Sequence, residues 1–273
     1  MAFRSRSVPN PVRGLLLAVG YLLARLGVID ARRAERTTDL AWPRIVTGIA
    51  RMSKSAADIA MVGIALGPAA IAGVGLAMPY WGLAFAVGGG VAGATISLVS
   101  QRYSGGTTAG LSLAVTTSGV IVAAISLPLA VLYGTGATRL IALIGNDPTA
   151  IAFGADYLRI VALGVPIAGL NLIGSRTLVG ADDAWTPMVL RAGGAVVNVA
   201  LNAVLLFVLE WGVVGAAIGT VVANGLVLAA FAVGFTVGRL PLVGAFPVTI
   251  GVAWPAATGG EIRNVLSIGT PLV

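Results

Sequence analysis

The stretch VVNVALNAVLLFVLEWGVVGAAIGT, residues 196–220, is almost entirely apolar and is long enough to enter a lipid bilayer twice. A turn signal at residues 210–212 divides it into two segments. The first segment carries Asn198 and Asn202, four residues apart on one helix face, and the second carries Thr220. Polar groups inside hydrocarbon are costly unless a ligand or a neighbouring helix binds them. The stretch therefore predicts two membrane helices whose polar side chains have partners.

The composition predicts an all-α integral membrane protein. Of the 273 residues, 58% are hydrophobic and 10% are charged, and the mean hydropathy is +0.98. One soluble core cannot bury that much apolar surface. The chain has no Cys and no His, which excludes thiol nucleophiles, Cys-based metal sites, Ser-His triads and HExxH zinc sites. We therefore expect a protein that is not an enzyme and that needs no cofactor.

Hydropathy and turn signals predict six helices, each long enough to cross about 30 Å of hydrocarbon. Residues 13–29 precede them as a shorter apolar stretch interrupted by Arg25, which favours an interfacial helix over a span or a signal peptide. The predicted spans are residues 39–66, 69–100, 107–133, 150–178, 186–209 and 212–238.

Basic residues are concentrated at the N-terminal end of the chain. The net charge is +7, and nine Arg residues precede Lys54. This bias predicts that residues 1–38 form a cytoplasmic basic segment. Six spans return the chain to its starting side, so the Pro- and Gly-rich residues 239–260 are predicted to be a cytoplasmic linker. No soluble domain remains for nucleic-acid binding, and the lipid bilayer is the expected surrounding.

The first predicted span carries an ionic stripe. Arg44, Arg51 and Asp58 repeat every seven residues, and Lys54 lies one helical turn before Asp58. Ions on a membrane helix face a watery cavity or other helices rather than lipid. The Lys54–Asp58 pair also fits a simple intramembrane ion pair.

Polar residues on three predicted spans lie at a similar depth. Asp58 and Asn202 each precede the outer end of their span by eight residues, about 12 Å of helix, and Thr220 follows its outer end by eight. Asn198 is one turn deeper. Singly, Asn198 or Thr220 also fits interhelical hydrogen bonding. A carboxylate, two amides and a hydroxyl at one depth favour a cation site.

Three stretches carry a resemblance to a known family. They are WPRIVTGIARMSKSAADIAMVG (residues 42–63), YLRIVALGVPIAGLNLIGSRTLVGADDAWTPM (157–188) and NVALNAVLLFVLEWGVVGAAIGT (198–220). The first contains an early proline, Pro43, and a D..MVG element that begins at Asp58. In order and spacing these stretches resemble the multidrug and toxic compound extrusion (MATE) transporters, especially the prokaryotic NorM and DinF branches.

This resemblance implies one six-helix lobe of a two-lobe, twelve-helix transporter. It implies a prokaryotic plasma membrane protein that exports drugs or organic cations by antiport with H⁺ or Na⁺. It assigns the coupling cation to Asp58, Asn198, Asn202 and Thr220, where Na⁺ would be the metal ion held. It also implies that Pro43 bends the first helix, although an ordinary proline near a helix start fits that position equally.

Two features depart from the family pattern. Asn202 stands where many relatives have a carboxylate, and Lys54 can reach Asp58. One carboxylate beside a cation is a poor Na⁺ site, which favours H⁺ as the coupling ion. A cationic cavity with Arg44, Arg51 and Lys54 also leaves open a flippase of the same superfamily that moves lipid-linked saccharide.

Residues 261–273 resemble the start of a second lobe, with Pro271 in the place of Pro43. We therefore expect a truncated N-terminal half whose missing partner is the C-terminal lobe. A non-transporting fragment is the remaining alternative.

Overall fold

A computed structural model describes residues 11–241, 243–251 and 259–269 of this chain, and helices form most of that part. The first ten residues and the predicted second-lobe residues 270–273 lie outside the described residues. The helices are α1 (Pro11–Arg25), α2 (Ala31–Leu66), α3 (Pro68–Ser104), α4 (Thr108–Ala142), α5 (Pro148–Val161), α6 (Gly164–Gly180), α7 (Trp185–Ala203), α8 (Gly212–Val237) and α9 (Gly259–Gly269).

Five of the six predicted spans are apolar enough to cross a membrane. Among the described helices, α3, α4, α8 and α7 with its continuation qualify singly, and α5 with α6 qualifies as a bent pair. The remaining one, α2, is 36 residues long, but its ionic stripe makes it too polar to qualify. The chain is thus an all-α membrane protein in which α2 needs protein or water on one side.

The boundary between α2 and α3 follows from two residues. Gly67 adopts a φ of 84°, which side chains other than glycine rarely adopt, and Pro68 opens α3 at a position where a missing N–H costs nothing. At its other end, the Asp30 side chain accepts a hydrogen bond from the backbone of Arg32 and caps α2. Pro43 lies inside α2, which continues through it as one helix, so its bending role stays a prediction.

The fourth predicted span is two helices rather than one. The axes of α5 and α6 differ by 52°, and the break falls at Ala162 and Leu163. Pro166 explains it, because proline has no N–H to donate to the carbonyl one turn earlier and its ring crowds that turn. The apolar run is continuous across the break, so the span predicted over residues 150–178 is a bent pair of helices.

The α7 helix changes its winding just after Asn202. Residues Val204–Val208 form a π-helical segment, a wider turn that is rare and often found at functional sites. The chain then turns through Glu210, whose φ is 54°, and enters α8 at Gly212.

Small residues allow α3 and α5 to approach closely. A Cβ atom on Gly73 would lie 2.6 Å from the carbonyl oxygen of Ala150 and 2.7 Å from the backbone nitrogen of Gly154. The two helices therefore touch backbone to backbone, as membrane helices do at small residues.

The segments flanking the bundle are packed against it. The 15-residue α1, too short to span, lies on α2 through an Arg13–Asp39 ion pair of 2.7 Å and a hydrogen bond from Tyr21 to Glu35. Its interfacial position stays a prediction.

The predicted linker is partly ordered. Residues Arg239–Leu240 (β1) and Gly244–Ala245 (β2) form a small antiparallel hairpin, and Phe246 packs against Phe235 of α8. The α9 helix packs on α3 and α4, where Glu261 forms a 2.7 Å ion pair with Arg102. Within its described residues, the linker predicted over 239–260 contains this short hairpin, and α9 begins at Gly259.

Candidate functional site

The buried carboxylate of Asp58 is the centre of the site. One oxygen, Oδ1, accepts a 2.8 Å hydrogen bond from Nδ2 of Asn202 on α7. The other, Oδ2, lies 2.5 Å from the Lys54 ammonium one turn earlier on α2. Asp58 and Asn202 are 144 residues apart in sequence, so the contact confirms that they share one depth in the bundle.

A ladder of amides connects this carboxylate to α8. Asn202 Nδ2 lies 3.4 Å from Asn198 Oδ1, and Asn198 Nδ2 donates to the Thr220 hydroxyl over 3.1 Å. Asn198 and Asn202 are both 0% exposed. All four residues predicted for the cation site are thus brought together, with Lys54 in contact.

A tyrosine that the sequence analysis missed completes the site. Tyr157 of α5 is buried, and its phenol lies near the Thr220 hydroxyl and close enough to Asp58 to interact with its charge. A signal was available, because a phenol in the middle of a membrane helix needs a hydrogen-bond partner. The site therefore draws on α2, α5, α7 and α8.

Two further asparagines extend the polar network along α6 and α8. Asn224 donates from Nδ2 to the backbone oxygen of Thr220 over 2.8 Å. Asn171 donates to the backbone oxygen of Asn224 over 2.9 Å. The sequence analysis did not single out either residue.

Gly219 shapes the position of Asn202. A Cβ atom at Gly219 would lie 2.0 Å from Asn202 Oδ1, so α8 leaves room for the amide only because this residue is glycine. Asn202 Oδ1 is itself buried, and within the described residues it has no hydrogen-bond partner. Its free lone pairs face the backbone of α8.

The donor set contains one carboxylate, and that carboxylate is paired with an ammonium. Side-chain oxygens of Asp58, Asn198, Asn202 and Thr220 could contribute to a Na⁺ site, with Tyr157 beside them. However, the Lys54 ammonium occupies one Asp58 oxygen, and the part of the chain that the structure describes holds no group of three Asp, Glu, His or Cys able to bind a metal. The site has one negative and one positive side chain in contact.

A cavity of about 340 Å³ adjoins the site. Two predicted cavity residues, Arg51 and Lys54, line it together with Thr220. Arg44 is exposed and does not line this cavity, so its assignment to a cavity stays a prediction. It lies two turns nearer the start of α2 than Arg51, about 10 Å along the helix.

The cavity has a third cation that the sequence analysis missed. Arg191 of α7 lines it, and Trp81 and Phe85 of α3 provide an aromatic wall. Arg191 could have been identified from the sequence as a candidate cavity residue, since it falls inside a predicted span where charged residues are rare.

The sequence of the chain is similar to those of known membrane transporters. The MatE family model matches residues 43–204, more than half of the chain. The "Probable multidrug resistance protein NorM" of Photorhabdus laumondii is 26% identical over 200 residues, which are 72% of this chain and 44% of that protein.

Two solved structures show the same fold. A MOP superfamily transporter from Pyrococcus furiosus, described as having a binding pocket of reverse polarity, aligns with a TM-score of 0.76 at 22% identity over 87% of this chain and 51% of that one. An outward-facing multidrug resistance MATE transporter aligns with a TM-score of 0.73 at 24% identity over the same shares. The chain spans about half the length of these relatives. The family match and the shared fold lead to one conclusion: the chain belongs to the MatE family of membrane transporters.

Proposed function

We propose that this chain is the N-terminal lobe of a secondary active exporter that releases drugs or other small molecules in exchange for H⁺ bound at Asp58. Multidrug resistance is the property named for the NorM relative, and the match to this chain covers 44% of that protein. The complete transport unit would therefore contain a second lobe beside this one.

One observation carries the choice of coupling ion: Asp58 is the only carboxylate of the site, and Lys54 and Asn202 already hold both of its oxygens. Na⁺ would have to displace an ammonium from the one anionic ligand available. A proton needs only to add to an oxygen, and it neutralises the buried charge.

The Lys54–Asp58 pair would then couple the proton to the substrate. The other charged groups near the pair are Arg51 on α2 and Arg191 on α7. The titratable group on α5 is the phenol of Tyr157. Protonation removes the only negative charge, so Lys54 loses its partner and the cavity becomes more positive by one unit. A cationic substrate is repelled at that moment, which makes its release depend on proton entry.

We place the protein in a prokaryotic plasma membrane with its N-terminus and residues 239–260 in the cytoplasm. The chain has no Cys, so single cysteines report topology cleanly. A Cys at Glu210 should react with an impermeant maleimide added outside, and a Cys at Gly260 should not. The opposite pattern would overturn this orientation.

The coupling proposal is tested with ethidium, an organic cation, in inverted vesicles from cells that express this chain, or a longer protein that contains it. Imposed pH and Na⁺ gradients are applied separately. We expect accumulation with the pH gradient alone and none in Asp58→Asn, whose carboxamide cannot bind a proton. Accumulation driven by Na⁺ alone would refute H⁺ coupling. Normal activity in Asp58→Asn would refute the role of Asp58.

A Na⁺ site has a second signature that needs no transport. Binding to the folded state raises thermal stability by mass action. Replacing KCl by NaCl should therefore leave the unfolding temperature of the wild-type chain unchanged in detergent, and a rise that disappears in Asp58→Asn would indicate Na⁺ binding.

A second candidate is a flippase that moves an anionic lipid-linked saccharide, and the basic lining of the cavity favours it. The Pyrococcus furiosus relative, with its pocket of reverse polarity, gives a further reason to consider such a carrier. Flipping of a fluorescent anionic lipid by proteoliposomes, with ethidium transport absent, would favour this candidate over drug export.

A further inference from the structure

The cavity beside Asp58 is lined by cations from two helices. Arg51 and Lys54 enter from α2 and Arg191 enters from α7. Three positive side chains thus line about 340 Å³ of space, a volume in the range of small-molecule sites. Arg176 on α6 does not line the cavity but lies close enough to Arg191 for the two charges to repel.

Few carboxylates are available to balance these cations. The residues outside the described part contain no Asp or Glu, so all ten carboxylates of the chain are described. Asp58 is held by Lys54, and no other acidic side chain lies within 4 Å of Arg51, Arg176 or Arg191. The ion pairs formed elsewhere are Arg13–Asp39, Arg36–Asp182, Arg102–Glu261 and Arg159–Asp156.

Arg191 is the least satisfied of the group. Its Nε atom is buried and, within the described residues, has no hydrogen-bond partner. A half-buried guanidinium without an anion destabilises a fold, and repulsion from Arg51 and Arg176 adds to that cost. Such a residue is expected where a ligand, rather than the protein, supplies the missing acceptor.

We propose that this cavity is a binding site for an organic anion whose phosphate, sulfonate or carboxylate head lies against Arg191, Arg51 and Lys54. The planar guanidinium of Arg191 offers several N–H donors to oxyanions. The aromatic rings of Trp81 and Phe85 receive the apolar part of the same ligand. This site departs from the organic cations implied by the family resemblance, and it stands whether or not H⁺ is the coupling ion.

Two probes of matched size and opposite charge test the assignment. They are 1-naphthalenesulfonate and N,N,N-trimethyl-1-naphthylammonium. Binding to the 273-residue chain in nanodiscs of zwitterionic lipid is measured by calorimetry. We expect saturable binding of the sulfonate and at least tenfold weaker binding of the ammonium compound. Equal affinities, or no saturable binding of the sulfonate, would overturn the proposal.

Variants at Arg191 identify the anion contact. Arg191→Gln should weaken sulfonate binding by roughly ten- to a hundredfold, the effect of losing one charge-assisted hydrogen bond. Arg191→Lys keeps the charge and should recover part of the affinity. Arg139→Gln removes the same charge from an exposed position on α4 and should have no effect.

Thermal unfolding separates a ligand contact from a structural role. Because Arg191 is half-buried and has no acidic partner, Arg191→Gln should unfold at the same temperature as wild type or at a higher one. The sulfonate should stabilise the wild-type chain but not this variant. A variant that unfolds earlier while still binding the sulfonate normally would mark Arg191 as structural and refute the proposal.

Nanodiscs with anionic lipid show where the anion comes from. If the head group of a lipid is the natural occupant, phosphatidylglycerol should compete with the sulfonate and weaken its apparent binding in wild type more than in Arg191→Lys. If the occupant comes from water, phosphatidylglycerol should leave sulfonate binding unchanged. Both results support an anion site, and they assign its ligand to different sources.

Discussion

Replacing Gly219 by alanine should break the bond that holds Asn202 on Asp58. The new Cβ atom would lie 2.0 Å from Asn202 Oδ1, whereas real Cβ contacts are not closer than 3.0 Å. The amide must therefore move by about 1 Å, more than the roughly 0.7 Å by which its 2.8 Å bond to Asp58 can lengthen before it is lost.

The magnitude follows from three contributions. Overpacking a buried contact costs about 1–3 kcal/mol. Removing a hydrogen bond from a buried polar group costs about 1–3 kcal/mol more. Alanine in place of glycine in a helix returns roughly 0.5–1 kcal/mol. We expect a net loss of about 1–5 kcal/mol in the free energy of unfolding.

Gly225 provides the matched control on the same helix. A Cβ atom there meets nothing within 4 Å, so Gly225→Ala should be neutral or slightly stabilising. Both variants are compared by thermal unfolding in detergent. Asn202→Ala removes the side chain that clashes, so adding Gly219→Ala to it should cost much less than in the wild type. Equal stability of Gly219→Ala and Gly225→Ala would refute the close contact between α8 and Asn202.

Two further predictions concern the scaffold. Gly73→Ala places a Cβ atom 2.6 Å from a backbone oxygen of α5, so it should destabilise the fold by more than the roughly 1–3 kcal/mol of ordinary overpacking. Gly75→Ala on the same helix meets nothing within 4 Å and should leave the unfolding temperature nearly unchanged in the same assay. Tyr21 donates a hydrogen bond to Glu35, which raises the pKa of Tyr21 above its ordinary 10.0. The stability from this bond is therefore present below pH 10 and is lost as pH rises through the raised pKa, and an absorbance titration should show Tyr21 ionising at lower pH in Glu35→Gln.

The contact between α2 and α7 could be predicted from the sequence because all membrane helices cross the same thickness of bilayer, so residue positions can be compared by depth. Counting residues from the outer ends of two helices gives their depth, and Asp58 and Asn202 were placed at one depth that way. The rotation of a helix about its axis is not given by that count. It depends on packing, and this is why Tyr157 was missed although its depth on α5 is comparable.

The cavity was predicted less well than the coupling site for a related reason. The heptad stripe of α2 includes Arg51 and Lys54, which line the cavity, but it also includes Arg44, which does not. The seven-residue repeat does not show which of its residues line the cavity. The cavity ends where the neighbouring helices pack together, and that position is not visible in the sequence. Arg191 lies inside the predicted fifth span, where a charged residue is rare, but only the structure shows that it lines the cavity without an acidic partner.

The charge of the ligand decides whether it is exchanged for the proton or carried with it. Protonation of Asp58 frees the Lys54 ammonium, which weakens the binding of a cation in the cavity and strengthens the binding of an anion. For unit charges about 8 Å apart at an effective dielectric constant near 20, the effect is roughly 2 kcal/mol, or about thirtyfold in affinity.

Lowering the pH should therefore weaken binding of the naphthylammonium probe and tighten binding of the sulfonate, whose own charge does not change over this range. Asp58→Asn, fixed in the neutral form, should bind the sulfonate tightly at every pH, whereas Arg139→Gln, which changes an exposed residue of α4, should keep the pH dependence. By reciprocity, a ligand that binds better with the proton also favours proton uptake. An anion carried by this lobe would then move in the same direction as H⁺, and a cation in the opposite direction. Sulfonate affinity that is independent of pH in the wild type would show that Lys54 does not couple the two sites.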